Sequence, residues 1–227
     1  MNKKFFLFVI SRIALARCSV EKRVETNAVT TTCSLEGVFD KKTEGMIEAR
    51  YLSSNDKRLV EITVDIDFKK FRGLKDKDKL EWSINTSWNS KKTALTGKKG
   101  CKVERTRHHY DPKVRCGPLS EKVLSVSNEI QVIKDAMCVK KDGERVGTNS
   151  YECSKKNTKL CERGDLSGKF GKLKVKSELN TLKTFKKVVD DNFASTDVVS
   201  DSNDDFSFVL MKGDKRMLCA QAIFTCV

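Results

Sequence analysis

The residues of this chain best suited to chemistry are its nine cysteines, at positions 18, 33, 101, 116, 138, 153, 161, 219 and 226, and its two histidines, His108 and His109. Thiolates and imidazoles are the usual protein ligands of zinc and copper. The spacing works against a metal centre. No two cysteines form a C-x-x-C pair, and histidines to complete a zinc finger are lacking. The two histidines are adjacent, and neighbours on an extended chain point to opposite sides, so they do not converge on one ion. The other chemistry open to so many cysteines is pairwise oxidation. In an exported chain they read as a disulfide framework.

The N-terminus carries the marks of an export signal. Lys3 and Lys4 give a basic start, "FFLFVI" is an apolar run that Arg12 interrupts, and "ALA" at 14–16 suits a signal peptidase. We therefore expect a signal peptide over residues 1–16, an exposed polar leader over 17–32, and a secreted protein. Cleavage after Ala16 leaves Cys18 as the odd cysteine. No other apolar run approaches the length of a membrane span.

Forty-five Lys and Arg face 31 Asp and Glu, a net charge of +14 that attracts polyanions. The charge is concentrated in "KKTALTGKKGCKVERTRHHYDPKVR" (91–115), with nine basic and two acidic residues. Lys98, Lys99, Lys102, Arg105 and Arg107 are the candidate anion-binding residues. No aromatics interleave with them as base-stacking platforms would, so nucleic acid is disfavoured. Anionic glycans or acidic proteins are the expected partners, and a solvated loop without a ligand is the alternative.

These residues need elements to position them. From Cys33 onward, "SLEGVFD", "GMIEARYL", "LVEITVDIDF" and "KLEWSIN" alternate in short runs separated by polar turns. In the third run Val60, Ile62, Val64, Ile66 and Phe68 share one face, with Glu61, Asp65 and Asp67 opposite, as in a half-buried strand. From about Asn89 to Gly164 the pattern breaks into a long charged excursion with five cysteines. Some helix is expected within "SEKVLSVSNEIQVIKDAMC". Strand patterns return at "GKLKVKSEL", "DDFSFVLMKG" and "MLCAQAIFTCV". Short strands with one long stapled excursion predict an all-β fold, a Greek-key sandwich or barrel. About 190 residues suffice for one full core, so residues 33–227 are read as a single domain.

Five segments in order resemble the Cu/Zn superoxide dismutase family, closest to its extracellular copper-only members. "CERGDLSGKFG" (161–171) is similar to the family's GDLSG element. "LEWSIN" resembles the strand with the His-x-His copper pair, and "GKKGCKVERTRHHYDP" the loop cysteine followed by His, an aromatic, Asp or Asn, and Pro. "FSFVLM" resembles the strand ending in a copper-ligating histidine, and "KRMLC" the Arg-x-x-Cys near the C-terminus. The resemblance covers residues 33–227 and implies a Greek-key β-barrel.

Carried over residue by residue, it implies a site without most of its ligands. The His-x-His pair falls on Ser83 and Asn85, the next histidine on His109, and the last copper ligand on Met211. The aspartate that helps to hold zinc falls on Asp165, the arginine that guides superoxide on Arg216, and the loop disulfide on Cys101 and Cys219. Dismutation cycles copper between two oxidation states, which the family supports with imidazoles. Ser83 and Asn85 are poor copper ligands, and His109 with Met211 makes a weak site at best. No copper or other cofactor is expected. His109 reads as a hydrogen-bonded structural histidine or a weak metal contact. Asp165 reads as a turn-fixing side chain bonded to nearby backbone N–H groups. Arg216 is either a solvated surface residue or an anion binder at a cleft rim.

In such a barrel the first and last strands are antiparallel neighbours, which predicts Cys33–Cys226. Cys116, Cys138, Cys153 and Cys161 then form two bridges, with the pairing open. Asn85-Thr86-Ser87 is the chain's one N-x-[ST] sequon. Its glycosylation requires an open mouth over the old site. The leading reading is a secreted superoxide-dismutase-like domain, not an enzyme, that binds an anionic partner. The alternatives are an atypical copper enzyme using His109, Met211 and His108, and a secreted structural protein without a specific ligand.

Overall fold

The computed structural model of the chain describes residues 30–39, 44–54, 57–67, 74–75, 77–120, 138, 151–175, 181–190, 192–193 and 205–226. Strands β1 (Thr30–Phe39), β2 (Glu44–Ser54) and β3 (Lys57–Asp67) form an antiparallel meander. Alternation decides which face is buried. Val60, Ile62, Val64 and Ile66 point into the core, while Glu61, Asp65 and Asp67 stay partly exposed.

Six further strands complete the sheet. They are β4 (Lys79–Asn85), β5 (Ala94–Thr96), β6 (Leu173–Lys174), β7 (Thr181–Val189), β8 (Phe206–Lys212) and β9 (Lys215–Cys226). The ladder order is β6-β4-β8-β9-β1-β2-β3-β7, and β5 pairs with β9 beside this path. β6 and β7, at the two ends of that order, lie against each other. The sheet is thus a nearly closed, all-β barrel with one seam. The connections from β3 to β4 and from β7 to β8 join non-neighbouring strands, as Greek-key crossovers do.

The barrel interior holds Leu35, Ile47, Ile62, Trp82, Ile84, Phe208 and Leu210, all buried. Burying an aliphatic or aromatic side chain of this size contributes about 1.5–3 kcal/mol, so the interior supplies most of the folding drive. A short helix, α3 (Leu166–Phe170), docks on β4 through Ser167. Its hydroxyl accepts from Trp82 N at 2.6 Å and donates to Trp82 O at 3.1 Å. The Trp82 indole N–H donates to Gly171 O at 2.8 Å.

Several expectations about elements change. β1 begins at Thr30, inside the stretch read as leader. The excursion is not uniformly irregular, since it contains β5 and the short helices α1 (Gly97–Gly100) and α2 (Val103–Thr106). β7 carries no marked alternation in sequence, yet it is a full strand paired with β3 from Thr181↔Asp67 to Val189↔Leu59. Its inward face carries Leu182 but also Thr184 and Lys186, so the apolar signal is diluted. The expected signal peptide, the odd Cys18, Phe68 and residues 121–137 of the stretch in which some helix is expected lie outside the described residues. Among the described residues no helix is long and apolar enough to cross a membrane.

Candidate functional site

The site is built on alternation along β4. Trp82 and Ile84 enter the barrel interior, which sends Ser83 and Asn85 to the opposite face. Both are nonetheless buried, Asn85 to 1% exposure. The Ser83 hydroxyl donates to Asn85 Oδ1 at 2.7 Å, and Asn85 Nδ2 donates to Arg107 O at 3.0 Å. The segment after α2 closes over them through the Asn85↔His109 bridge. Arg216 on β9 donates to the same Arg107 O at 2.8 Å and, through Nη1, to Thr106 Oγ1.

The mouth over these positions is therefore shut, not open as a glycan at Asn85 requires. The Asn85 amide nitrogen is buried and already donating, so the folded chain presents no acceptor at its sequon. Arg216 is not a freely solvated arginine, because two of its nitrogens are spent on the 106–107 backbone and side chain.

His109 turns to a different group. Its Nδ1 lies 2.6 Å from Glu162 Oε2, and the Glu162 side chain is almost fully buried. Burial opposes charge on the imidazole, but the hydrogen bond and the negative charge of Glu162 outweigh it and hold the pKa above the ordinary range. Burial also raises the Glu162 carboxyl, against the pull of His109. The Tyr151 hydroxyl accepts from Glu162 N at 3.0 Å and donates to Asp165 Oδ2 at 2.9 Å. Asp165 Oδ1 accepts from Gly168 N at 2.7 Å, so it caps α3 as a turn-fixing residue.

Two glycines permit this packing. A Cβ on Gly164 would lie 2.1 Å from Ile84 O, and one on Gly117 would lie 2.2 Å from Glu162 Oε1. The sequence marked neither Glu162 nor Tyr151, since a lone acid and a lone tyrosine in a charged excursion have no period to betray them.

Met211 shares the outer face of the β4–β8 ladder with Ser83, whose register partner is Val209, but its thioether has apolar neighbours. It packs with Trp88, Val209 and the Cys101–Cys219 disulfide in a small apolar cluster. Cys116 bonds to Cys138 and Cys153 to Cys161. Cys33 is disulfide-bonded as well, and Cys226 is its register partner across β1 and β9. Asp111, Cys116 and Cys138 lie close enough together to suggest a metal site. The two sulfurs are bonded to each other, however, and the Asp111 carboxylate accepts from Arg115 N, Cys116 N and Ser120 Oγ.

The positions that would hold copper do not fit it. A hydroxyl and an amide bonded to each other, an imidazole bonded to a carboxylate and a thioether in an apolar cluster offer no converging set of soft or imidazole donors.

What the surface does offer is a basic groove of about 560 Å³ beside α1 and α2. Lys98, Lys99, Lys102 and Arg216 line it, together with Glu104 and Asp214. Cys101–Cys219 fastens this arm to β9, and Cys101 N bonds to Gly97 O at 3.0 Å. Of the remaining expected anion-binding residues, Arg105 folds back to donate to Gly100 O at 3.3 Å, and neither it nor Arg107 lines the groove.

No known protein family, no curated protein and no solved structure matches this chain.

Proposed function

We propose that this protein is a secreted, disulfide-stapled barrel of the superoxide-dismutase-like kind that has lost copper binding and dismutase activity and acts by binding an anionic partner. The observation that carries this reading is the groove in which Lys98, Lys99 and Lys102 converge with Arg216. Residues 98–102 and residue 216 come from distant parts of the chain, and a covalent bond between Cys101 and Cys219 holds their segments together. A charged surface held rigid in this way loses less entropy on binding than a free basic loop. The Greek-key barrel and the Cys101–Cys219 pair support the family resemblance, and the poor donors at Ser83, Asn85 and Met211 support the loss of the metal. The disulfides support an oxidising, extracellular setting.

The test is retention of the purified, oxidised protein on immobilised heparin as salt is raised. The Lys98→Glu, Lys99→Glu, Lys102→Glu variant should elute at markedly lower salt, while charge reversal at Lys174, outside the groove, should change elution little. Losses that merely scale with the charge removed, about three to one between the triple and the single variant, would mean that only net charge matters and would favour the structural-protein reading. Stoichiometric, tightly held copper with dismutase activity in the same preparation would sink the proposal in favour of an atypical enzyme.

A further inference from the structure

The barrel seam has an unusual wall. A cavity of about 490 Å³ lies between the 155–170 segment and β7, lined by Lys155 and Phe170 on one side and by residues 186–189 on the other. Successive residues of a strand point to opposite faces. Four consecutive residues can line one cavity only if it runs along the edge of the strand, beside its backbone. Among the described residues β7 pairs with β3 and with nothing on its other side. The cavity therefore opens on a strand edge whose N–H and C=O groups have no ladder partner among the described residues, the arrangement to which an extended peptide can add.

The opposite wall is fixed before anything binds. Cys153–Cys161 closes the loop that carries Lys155. Lys169, fully buried, donates to Asp190 Oδ2 at 2.9 Å, Asn192 O at 2.5 Å and Arg163 O at 3.2 Å. The Asn192 amide in turn donates to Cys161 O at 2.7 Å and Thr158 O at 3.3 Å. The end of β7 and the 158–169 segment are thereby tied together, and the slot between them does not need to form on binding.

The charges in the slot select its occupant. Lys169 is neutralised by Asp190, and Lys187 pairs with Glu61 at 3.1 Å. Lys155 and Lys186 have no acidic partner among the described residues, and Phe170 and Val188 supply apolar surface between them. The geometry points to the seam as a docking site for an extended peptide of a partner protein, added as a strand to the edge of β7, with acidic and apolar side chains taking turns along the one face that meets Lys186 and Val188. The acidic side chains meet Lys155 and Lys186, and the peptide backbone satisfies the edge. This surface shares no residue with the groove at Lys98–Lys102, and the inference does not depend on what that groove binds.

The test uses the full oxidised protein, isotopically labelled, titrated with a capped peptide of about eight residues that carries valine and glutamate in turn at every second position, with threonine between them. Binding should shift the amides of residues 184–189 and slow their hydrogen exchange, as new backbone hydrogen bonds require. The same peptide N-methylated at every residue should not bind. The Lys155→Glu, Lys186→Glu variant should bind at least about tenfold more weakly. Lys155→Glu alone, at an exposed position, provides the charge readout if the double variant does not fold. The proposal is overturned if the N-methylated peptide or a valine–lysine peptide binds as well, or if the charge variants are unaffected. Decanoate producing the same shifts and excluding the peptide would also overturn it, and would assign the slot to a small anionic amphiphile.

Discussion

Asn85 and Arg216 donate to the same atom, the backbone oxygen of Arg107, at 3.0 and 2.8 Å. One comes from β4 and the other from β9, so this carbonyl joins the basic arm to two strands of the barrel. Arg107 sits at φ 54°, ψ −138°, a conformation that glycine adopts far more readily than arginine. The two donors hold in place a backbone that would not choose this shape alone.

Replacing Asn85 by alanine removes one of these donors and leaves the Ser83 hydroxyl, buried to 2% exposure, without its acceptor. The expected loss is about 1–3 kcal/mol, the usual cost of unsatisfied buried polar groups. Asn85→Asp should be no better, because a carboxylate cannot donate to Arg107 O. Urea denaturation of the oxidised protein measures both.

The Arg107→Gly variant should gain stability. It keeps both hydrogen bonds, which use the backbone oxygen, and relieves a strained φ. A gain of up to about 1 kcal/mol is expected in chemical denaturation. A loss of similar size would show that the Arg107 side chain contributes more than its backbone costs.

The buried pair of Lys169 and Asp190 should be unforgiving of single changes. Lys169→Met removes donors from the Asp190 carboxylate and from the carbonyls of Asn192 and Arg163. A loss of about 3–5 kcal/mol follows from leaving a buried charge unpaired. Adding Asp190→Leu should recover part of it. Thermal unfolding of the three proteins at one pH decides whether the pair behaves as a unit.

Acid should weaken the fold through His108. Burial first, and then the nearby charges of Arg216, His109 and Arg107, push its pKa down to about 4 from 6.5. Between those values the unfolded chain binds a proton that the folded chain does not, so stability falls as pH drops through that window. From pH 7 to 5 this single group should cost of order 1–2 kcal/mol. His109 acts in the other direction. Its raised pKa keeps its contribution intact below about 6.5 and loses it as pH rises beyond. The two effects therefore fall in different windows. In the His108→Gln variant the stability difference between pH 5 and 7 should shrink, and an unchanged difference would assign the acid sensitivity elsewhere.

The barrel was legible in the sequence wherever one face of a strand is apolar and the other is not. Val60 to Ile66 is the plainest case, and Trp82 with Ile84 marked β4 in the same way. β7 escaped because Lys186 sits on its inward side next to the seam, where a long side chain reaches solvent and the face need not be apolar. The Asp165 turn could be read because an aspartate followed by "LSG" bonds its own backbone locally. The tie between His109 and Glu162 could not be, since it joins residues 53 apart through a fold that no local pattern encodes. Four cysteines of the excursion were visible as two bridges, but their pairing depends on the path of the loop.

The first and last strands of the barrel lie side by side in opposite directions, in register from Cys33↔Cys226 to Gly37↔Ala222. A pull applied at their adjacent ends would load these ladder bonds one after another, as a zipper opens, rather than all together in shear. Against force from that direction β1 would peel from β9 with little resistance if hydrogen bonds alone held it. The disulfide at Cys33 sits at the first tooth of that zipper. A bond from Cys33 to its register partner Cys226, the pairing the sequence predicts, would decide whether the barrel can be opened mechanically.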